Sequence, residues 1–180
     1  MAEEEKRNIF LCGFMATGKS SVGKRLAEVL QWEFLDADAL IEAEAGTTIS
    51  EIFAAQGEPA FRALESRMVQ TLAERSGCVV ATGGGAIVHP QNLEMMKRSG
   101  LVITLTADIP TILRRSAGDD ARPLLQTADR QERIRKLLEQ RAPFYAKADI
   151  VFDTSSLSVD EVAAMLLKRL LESGFLQRRN

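Results

Sequence analysis

The chain has 180 residues, of which 46% are hydrophobic and 27% are charged, and its formal net charge is −2. This length suits one domain, and the near-average composition argues against disorder and against a membrane span. A small negative net charge excludes a broad basic surface for nucleic acid. We therefore expect a single domain over residues 1–180, with neither a nucleic-acid nor a membrane partner.

Five short apolar runs alternate with helical patterns along the chain. The runs are almost continuously apolar, which is typical of parallel strands buried on both faces. They lie at residues 9–12, 32–35, 78–81, 101–105 and 150–152. Helical patterns occupy residues 21–30, 49–56, 59–76, 90–98, 109–115, 129–142 and 158–173. This alternation predicts an α/β fold, a three-layer α/β/α sandwich around a five-stranded parallel sheet, with ligands bound at the carboxyl ends of the strands.

The first apolar run leads into GFMATGKS at residues 13–20, which matches the phosphate-binding pattern G-x-x-x-x-G-K-[ST]. In such a P-loop, backbone N–H groups turn toward phosphate oxygens, and the following helix adds the positive end of its dipole. Lys19 then reaches the β- and γ-phosphates, and the Ser20 hydroxyl is placed to bind Mg²⁺. The strand before and the helix after disfavour a glycine turn without a ligand. The expected ATP site comprises Ala16, Thr17, Gly18, Lys19, Ser20 and Ser21.

Two carboxylates, Asp36 and Asp38, follow the second apolar run. Because strand alternation sends residues two apart to the same side, we expect both side chains to face the carboxyl edge beside the P-loop. One carboxylate could hold Mg²⁺, directly or through water, and the other could accept a proton from a substrate hydroxyl. A solvated acidic turn is the alternative.

Three consecutive glycines, Gly83, Gly84 and Gly85, follow the third run. Consecutive glycines cost backbone entropy, so a loop that contains them usually needs unusual dihedral angles or the close approach of another group. A backbone wall against a small substrate fits, and a plain tight turn stays open. No Asp closes this strand, so a metal carboxylate has to come from Asp36.

Three arginines are candidates for binding anions. Arg62 precedes Glu65 by three positions on a helix, so the carboxylate could orient the guanidinium toward a substrate carboxylate, although spacing alone favours a surface ion pair. Arg141 lies near a helix end, where it could equally favour the helix dipole. Arg122 lies in the Gly- and Pro-containing segment 116–128, which could be a lid or a surface loop, and it could reach phosphates.

Both cysteines, Cys12 and Cys78, fall inside apolar runs. Small buried thiols are typical of a reduced cytoplasmic protein, so we expect a cytoplasmic location and disfavour a disulfide. The single histidine, His89, excludes an ordinary Cys/His zinc cluster.

The ordered set of motifs resembles the shikimate kinase family. The set comprises GFMATGKS at 13–20, Asp36-x-Asp38, FRALE at 61–65, TGGG at 82–85, RPLL at 122–125 and RAPFY at 141–145. Order and spacing match over residues 9–155. The resemblance implies a P-loop NTPase fold like that of nucleoside monophosphate kinases, with a helical substrate-binding region at 37–65 and a lid at 116–128. It also implies a transferase that moves the γ-phosphoryl of ATP to the 3-hydroxyl of shikimate, with Mg²⁺, on the route to chorismate and the aromatic amino acids.

The resemblance assigns the acceptor and the metal to particular residues. Shikimate would be held through its carboxylate by two arginines and by a glycine wall: Arg62, Arg141, Gly83, Gly84 and Gly85. Asp38 would contact the ring hydroxyls and act as the catalytic base. Mg²⁺ would lie between Ser20, the phosphates and, through water, Asp36.

Further roles follow for the nucleotide side and the pocket wall. Lys19 and Arg122 would meet the phosphates, the latter from the lid, and Arg115 would lie against the adenine. Phe53 and Phe61 would line the apolar side of the acceptor pocket, although core packing explains a Phe equally well. Ser21 replaces the Thr of many relatives, and the loop at 154–157, where relatives touch adenine, is too generic to assign.

Other functions stay open on the sequence. A kinase of a sugar acid such as gluconate, or of a nucleoside monophosphate, could use the same scaffold. A guanine-nucleotide switch is disfavoured because the chain has no Asn-Lys-x-Asp and no Asp-x-x-Gly motif. A P-loop module that binds a partner without catalysis would be expected to lack Asp38 or Arg62, and both residues are present. We expect a monomer, although no sequence feature bears on the oligomeric state.

Overall fold

The computed structural model describes residues 7–117 and 129–176 of the chain. Within those ranges the strands are β1 (Asn8–Gly13), β2 (Glu33–Asp36), β3 (Cys78–Ala81), β4 (Gly100–Thr106) and β5 (Ile150–Asp153). The helices are α1 (Lys19–Leu30), α2 (Ala37–Ala45), α3 (Ile49–Ala73), α4 (Pro90–Ser99), α5 (Ile109–Arg115), α6 (Arg130–Tyr145) and α7 (Val159–Glu172). A short 3-10 turn, Ala86–Val88, precedes α4. Among the helices described, none combines the length and the apolar character that crossing a bilayer requires.

The five strands form one parallel sheet in the order β2-β3-β1-β4-β5. Every residue of the central strand β1 is buried, as expected for a strand covered on both faces. The register aligns the carboxyl ends: Gly13 lies opposite Leu105, and Asp36 lies opposite Ala81. The loops after β1, β2, β3 and β5 therefore leave the sheet at the same edge. The predicted α/β fold and five-stranded parallel sheet are confirmed.

Helices cover both faces of the sheet, which gives the predicted three layers. On one face, α1 and α7 pack against each other and against the sheet. The buried apolar residues of this layer include Ile9, Leu11, Val22, Leu26, Val79, Ile103, Leu105, Phe152, Val162, Leu166 and Leu170. The other face carries α2 to α6, with a core that includes Phe10, Phe14, Ile41, Ile52, Phe61, Val69, Val80, Ile87, Met96, Ile112 and Ile134.

Helix α3 spans two segments that the sequence predicts as separate helices, 49–56 and 59–76. The structure joins them across a kink at Gly57, whose φ of 80° and ψ of 173° are not helical. Pro59 follows the kink, where its missing N–H and its ring cost least. A capping box starts the helix: the Thr48 side chain accepts from the Glu51 N–H, and the Glu51 carboxylate accepts from the Thr48 N–H at 2.8 Å.

The helical patterns read from the sequence omit α2, and the prediction that the Asp36 and Asp38 side chains project the same way is wrong, although both lie at the carboxyl edge beside the P-loop. Both were expected to project the same way from a strand, but the helix begins at Ala37. Asp36 is the N-cap residue, and its carboxylate accepts from the N–H groups of Asp38 and Ala39 at 3.1 and 3.3 Å. Because the chain turns into a helix here, the two carboxylates reach different neighbours.

Candidate active site

The loop between β1 and α1 is tightly wound. Gly13 and Gly18 have φ values of 132° and 96°, and Ala16 adopts the left-handed region at φ 59°. A side chain at Gly13 would run into the carbonyl of Leu105 on the neighbouring strand. The Thr17 hydroxyl donates to the Phe14 carbonyl at 2.8 Å and closes the loop from inside. The loop therefore delivers the chain directly to the N-terminus of α1, where free N–H groups and the helix dipole favour an anion.

Lys19 is the first residue of α1 and lies over this loop. Its Nζ donates to the Phe14 carbonyl at 2.9 Å in a partly buried position. The ammonium is thus held within the span of the phosphate-binding loop rather than extended into solvent. This placement agrees with the predicted role of Lys19 toward phosphates, which stays a prediction.

Ser20 and Asp36 meet across the gap between α1 and β2. The Ser20 hydroxyl donates to Asp36 Oδ2 at 2.7 Å, while Asp36 Oδ1 accepts from the Asp38 N–H. One carboxylate oxygen is therefore fixed by the backbone, and the other is turned to the hydroxyl. A hydroxyl and a carboxylate oxygen side by side are the hard ligands that Mg²⁺ prefers, so the residues present fit this cation.

Arg62 and Glu65 form a pair that lies largely inside the protein. Arg62 Nη1 donates to Glu65 Oε2 at 2.8 Å, and the side chains are 24% and 2% exposed. The guanidinium also donates to Glu58 at 2.9 Å and lies 5.2 Å from the ring of Phe61. The surface ion pair that spacing alone favours is therefore wrong, because Glu65 is buried and Arg62 is clamped between two carboxylates.

Glu65 lies beside a second acidic group. Burial raises the pKa of its carboxyl, the guanidinium of Arg62 opposes the rise, and the nearby charge of Asp38 adds to it. Among residues 7–117 and 129–176, the buried Glu65 Oε1 has no hydrogen-bond partner. From the sequence, Glu65 could orient Arg62, but the spacing does not predict the burial of Glu65 or its proximity to Asp38.

Each of the three consecutive glycines faces a candidate site residue. A Cβ atom at Gly83 would collide with Glu65 Oε1 and would lie 2.8 Å from Asp38 Oδ1. A Cβ at Gly84 would lie 3.4 Å from Arg141 Nη1, and one at Gly85 would collide with the Arg62 guanidinium. None of the three has a positive φ. The glycines are therefore explained by close approach rather than by unusual dihedral angles.

Arg141 reaches this wall from α6. Its Cζ lies 5.8 Å from the centre of the Phe14 ring, so the guanidinium is near the P-loop as well as near Gly84. One turn further along α6, the Tyr145 hydroxyl donates to the Gly84 carbonyl at 2.8 Å. Helix α6 continues through Pro143 to Tyr145, beyond the predicted end at residue 142, and this extension brings Tyr145 to the wall.

Phe53 and Phe61 flank the same region on α3. Their ring centroids are 4.9 Å apart with an interplanar angle of 39°. Phe61 is buried in the core and Phe53 packs against it. Core packing accounts for both rings, and a role as pocket wall stays a prediction.

Arg115 and Thr154 form a second cluster on the other side of the P-loop. Arg115 donates from Nη1 to the Thr154 hydroxyl at 3.0 Å and from Nη2 to the Thr154 carbonyl at 2.8 Å. The Thr154 hydroxyl is buried and lies 3.0 Å from the carbonyl oxygens of both Thr17 and Thr106. Sequence reasoning missed Thr154 because one threonine in a polar loop carries no distinctive pattern.

Most predicted site residues converge on one edge of the sheet. The P-loop lies between one group, formed by Asp38, Arg62, Gly83, Gly84, Gly85 and Arg141, and a second group, the pair of Arg115 and Thr154. Ser21 is exposed in the first turn of α1. Arg122 and nearly all of the predicted lid at 116–128 lie outside the described residues.

Comparison with known proteins decides the family. The family model described as shikimate kinase matches residues 15–171. This chain belongs to the shikimate kinase family. The match includes the P-loop from its third position and, outside that loop, every described residue of the candidate site.

Individual relatives agree with this assignment. A shikimate kinase of Geobacter metallireducens is 42% identical over 178 residues, which is 99% of this chain and 96% of the relative. A shikimate kinase of Geobacter sulfurreducens is 47% identical over 156 residues, or 87% and 86% of the two chains. Among solved structures, the shikimate kinase from Acinetobacter baumannii in complex with shikimate has a TM-score of 0.91 and 38% identity, covering 93% of this chain and 94% of that one.

Proposed function

We propose that this protein transfers the γ-phosphoryl group of ATP to the 3-hydroxyl of shikimate and releases shikimate 3-phosphate and ADP. Membership of the shikimate kinase family supports an ATP-dependent kinase. The observation that supports the choice of acceptor is the wall of Gly83, Gly84 and Gly85. This wall faces two carboxylates and two guanidinium groups beside the P-loop. The similarity to a kinase solved in complex with shikimate supports the same acceptor.

The two arginines are suited to the carboxylate of the acceptor. Arg62 and Arg141 approach neighbouring glycines of the same loop, so both guanidinium groups border the space in front of that loop. A guanidinium offers paired N–H donors that match the two oxygens of a carboxylate. Gly84 and Gly85 allow this approach because they carry no side chain. The arginines thereby orient the ring and set which hydroxyl points toward the nucleotide.

Asp38 is the residue that we assign to the acceptor hydroxyl. Its Oδ1 would lie 2.8 Å from a Cβ atom at Gly83, so Asp38 faces the same glycine loop as the two arginines. Phosphoryl transfer has a loose transition state, so catalysis depends mainly on alignment and on neutralisation of charge. In our assignment Asp38 orients the hydroxyl in line with the γ-phosphorus and takes up its proton late in the transfer. The nearby Glu65 is paired with Arg62 at 2.8 Å, which offsets repulsion between the two acidic groups.

The nucleotide side is assigned to the loop and to the elements that flank it. In the proposal, Ala16, Thr17, Gly18, Lys19, Ser20 and Ser21 hold the phosphates, and Arg115 lies against the adenine. Ser20 and Asp36 would hold Mg²⁺, Asp36 through a water molecule. The cation would supply positive charge to the phosphate oxygens. Arg122 and a lid at 116–128 complete the proposal, and of these Arg122 and the rest of 118–128 lie outside the described residues.

The remaining parts of the proposal concern the whole molecule. We infer one domain, with residues 37–65 as the substrate-binding region, which α2 and α3 largely fill. The buried, unpaired thiols of Cys12 and Cys78 support a reducing, cytoplasmic compartment. A monomeric state stays a prediction.

An assay of ADP release with a panel of acceptors tests the proposal. Shikimate, gluconate, AMP and CMP are each added with ATP and Mg²⁺, and a reaction without acceptor is the control. The proposal expects turnover with shikimate and only background with the others. Turnover with gluconate or a nucleotide instead would retain the kinase and reject the acceptor. ATP binding without turnover on any acceptor would indicate a binding module.

A further inference from the structure

The two arginines of the glycine wall differ in what surrounds their charge. Arg62 is held by the carboxylates of Glu58 and Glu65. Arg141 has no carboxylate within ion-pair distance in the part of the chain that the structure describes. Its neighbours include the ring of Phe14 and the backbone at Gly84, and Glu65 acts on it only as a nearby charge without an ion pair. The positive charge of Arg141 is therefore compensated much less than that of Arg62.

A neutral group anchors this second arginine. Tyr145 lies four positions after Arg141 on α6, so the two side chains share one face of the helix. The phenol is 5% exposed, and its hydroxyl donates to the Gly84 carbonyl at 2.8 Å. Arg141 Nη1 approaches the same glycine, since it would lie 3.4 Å from a Cβ atom at Gly84. Because the single phenol proton goes to Gly84, the hydroxyl can act toward a guanidinium only as an acceptor.

The phenol keeps its proton under all ordinary conditions. Burial raises the pKa of Tyr145 to about 12, and the charge of Arg141 opposes only part of that rise. The hydroxyl consequently remains a donor to Gly84 throughout the working range of an enzyme. A carboxylate at this position would pair with Arg141 and compete with an incoming acid, whereas a neutral phenol holds the guanidinium without neutralising it.

We propose that Tyr145 is a positioning residue for acid recognition: its hydroxyl fixes the Arg141 guanidinium against the Gly84 peptide, so that a charge without an ion-pair partner among the described residues faces the carboxylate of the acceptor. This inference rests on the proposed function, because it takes shikimate as the acid. In this inference the two arginines have different roles. Arg62 supplies a fixed geometry within an ion-pair cluster, and Arg141 supplies net attraction.

The first test is Tyr145→Phe, which removes one oxygen and retains the ring. The KM for shikimate should rise about fivefold to tenfold, while the KM for ATP and kcat stay within about twofold. A matched control is Ser99→Ala, which removes a hydroxyl that bonds helix carbonyls of α4. It should change none of these constants. An unchanged KM for shikimate in Tyr145→Phe would overturn the inference.

An acceptor that lacks the negative charge distinguishes a positioning role of Tyr145 from general damage to the acceptor site. The carboxamide analogue of shikimate should bind the wild-type enzyme more weakly, and Tyr145→Phe should weaken it no further. If the variant loses as much affinity for the carboxamide as for shikimate, Tyr145 does not act through the carboxylate, and the inference fails. Absence of wild-type turnover on shikimate would instead reject the proposed function together with the inference.

Tyr145 is the only tyrosine in the chain, which allows a measurement without a mutation. Incorporation of 3-fluorotyrosine gives a protein with a single fluorine resonance at this position. Shikimate should shift that resonance, and the carboxamide analogue or ATP alone should shift it much less. This measurement holds even if Tyr145→Phe does not fold. A resonance that shikimate does not move would contradict the inference.

Discussion

Asp38 and Glu65 place buried carboxylate oxygens against the same glycine, Gly83. The helix α2 that carries Asp38 and the helix α3 that carries Glu65 thereby meet the loop after β3 at one point. Close approach of two acidic groups is tolerable here because the Arg62 guanidinium bonds Glu65 and supplies an opposite charge. The contact explains why Gly83 cannot carry a side chain.

Gly83→Ala should therefore damage turnover. The added methyl group collides with Glu65 and presses on Asp38, so at least one carboxylate has to move. Because displacement of a catalytic group by about 1 Å can cost about a hundredfold in rate, we expect a loss of that order in kcat/KM for shikimate. Gly84→Ala is the matched comparison, since its methyl would meet neighbours at 3.4 Å and should cost less. Equal losses in the two variants, or none, would contradict this reading of the wall.

Asp38→Asn tests the assignment of the base. The amide retains the size of the side chain but cannot accept the proton of the hydroxyl, so kcat should fall about a hundredfold or more while ATP binding is unchanged. Asp160→Asn serves as a control, because Asp160 is exposed and pairs with Arg25. Near-wild-type turnover in Asp38→Asn would remove Asp38 from the mechanism.

The raised pKa of Glu65 predicts how stability depends on pH. The ordinary pKa of a Glu is 4.5, and burial raises it in the folded protein. Between these two pKa values the folded state binds more protons than the unfolded state, so this group lowers stability as pH rises through that window. Glu65→Gln removes the titration. The stability of the wild type relative to Glu65→Gln should thus decline as pH rises above about 4.5 toward neutrality.

Urea unfolding of both proteins at a series of pH values measures this difference. The comparison also cancels the pH dependence of the groups that do not interact with Glu65, because they are common to the two chains. The substitution Glu65→Gln also weakens the pair with Arg62. That loss adds an offset to the difference in stability between the two proteins. A difference that stays constant, or that rises with pH, would show that the Glu65 carboxyl does not have a raised pKa.

Thr154 should affect the nucleotide rather than the acceptor. Its hydroxyl lies between the carbonyls of Thr17 and Thr106 and accepts from Arg115, so it connects the P-loop to the loop after β5. Thr154→Val keeps the shape and removes these bonds. A lost hydrogen bond of about 1 kcal/mol corresponds to about a fivefold rise in the KM for ATP.

Thr154→Ser is the companion variant, because it retains the hydroxyl and loses only a methyl group. It should retain a KM for ATP close to that of the wild type, and both variants should leave the KM for shikimate unchanged. Thr154 would be merely a packing residue if the serine variant were impaired as much as the valine variant.

The sequence predicts the sheet and the P-loop well because both depend on local patterns. Nearly continuous apolar runs identify all five strands, and the pattern at 13–20 fixes the phosphate-binding loop before α1. Helix α2 was missed because its start depends on the Asp36 carboxylate, which caps the helix where strand alternation was expected to continue. A signal was available: an Asp followed by Ala, Leu and Ile residues is typical of a capped helix.

The contacts of the site are less predictable because they join distant segments. Glu65 and Arg62 are three positions apart in any helix, and only the fold decides that the pair lies under the glycine wall. The same holds for Tyr145, which reaches Gly84 across 61 positions of sequence. Spacing indicates which residues share a helix face, whereas burial and charge compensation emerge only when α3, α6 and the loop after β3 come together.

Identification of the phosphorylated product tests the central claim most directly. Wild-type protein is incubated with ATP, Mg²⁺ and shikimate, and the position of the phosphate is determined by phosphorus and proton NMR. The account predicts one product, with the phosphate on the 3-hydroxyl, and its rate of formation should fall about a hundredfold or more in Asp38→Asn. A phosphate on another hydroxyl, or no phosphorylated product at all, would contradict it.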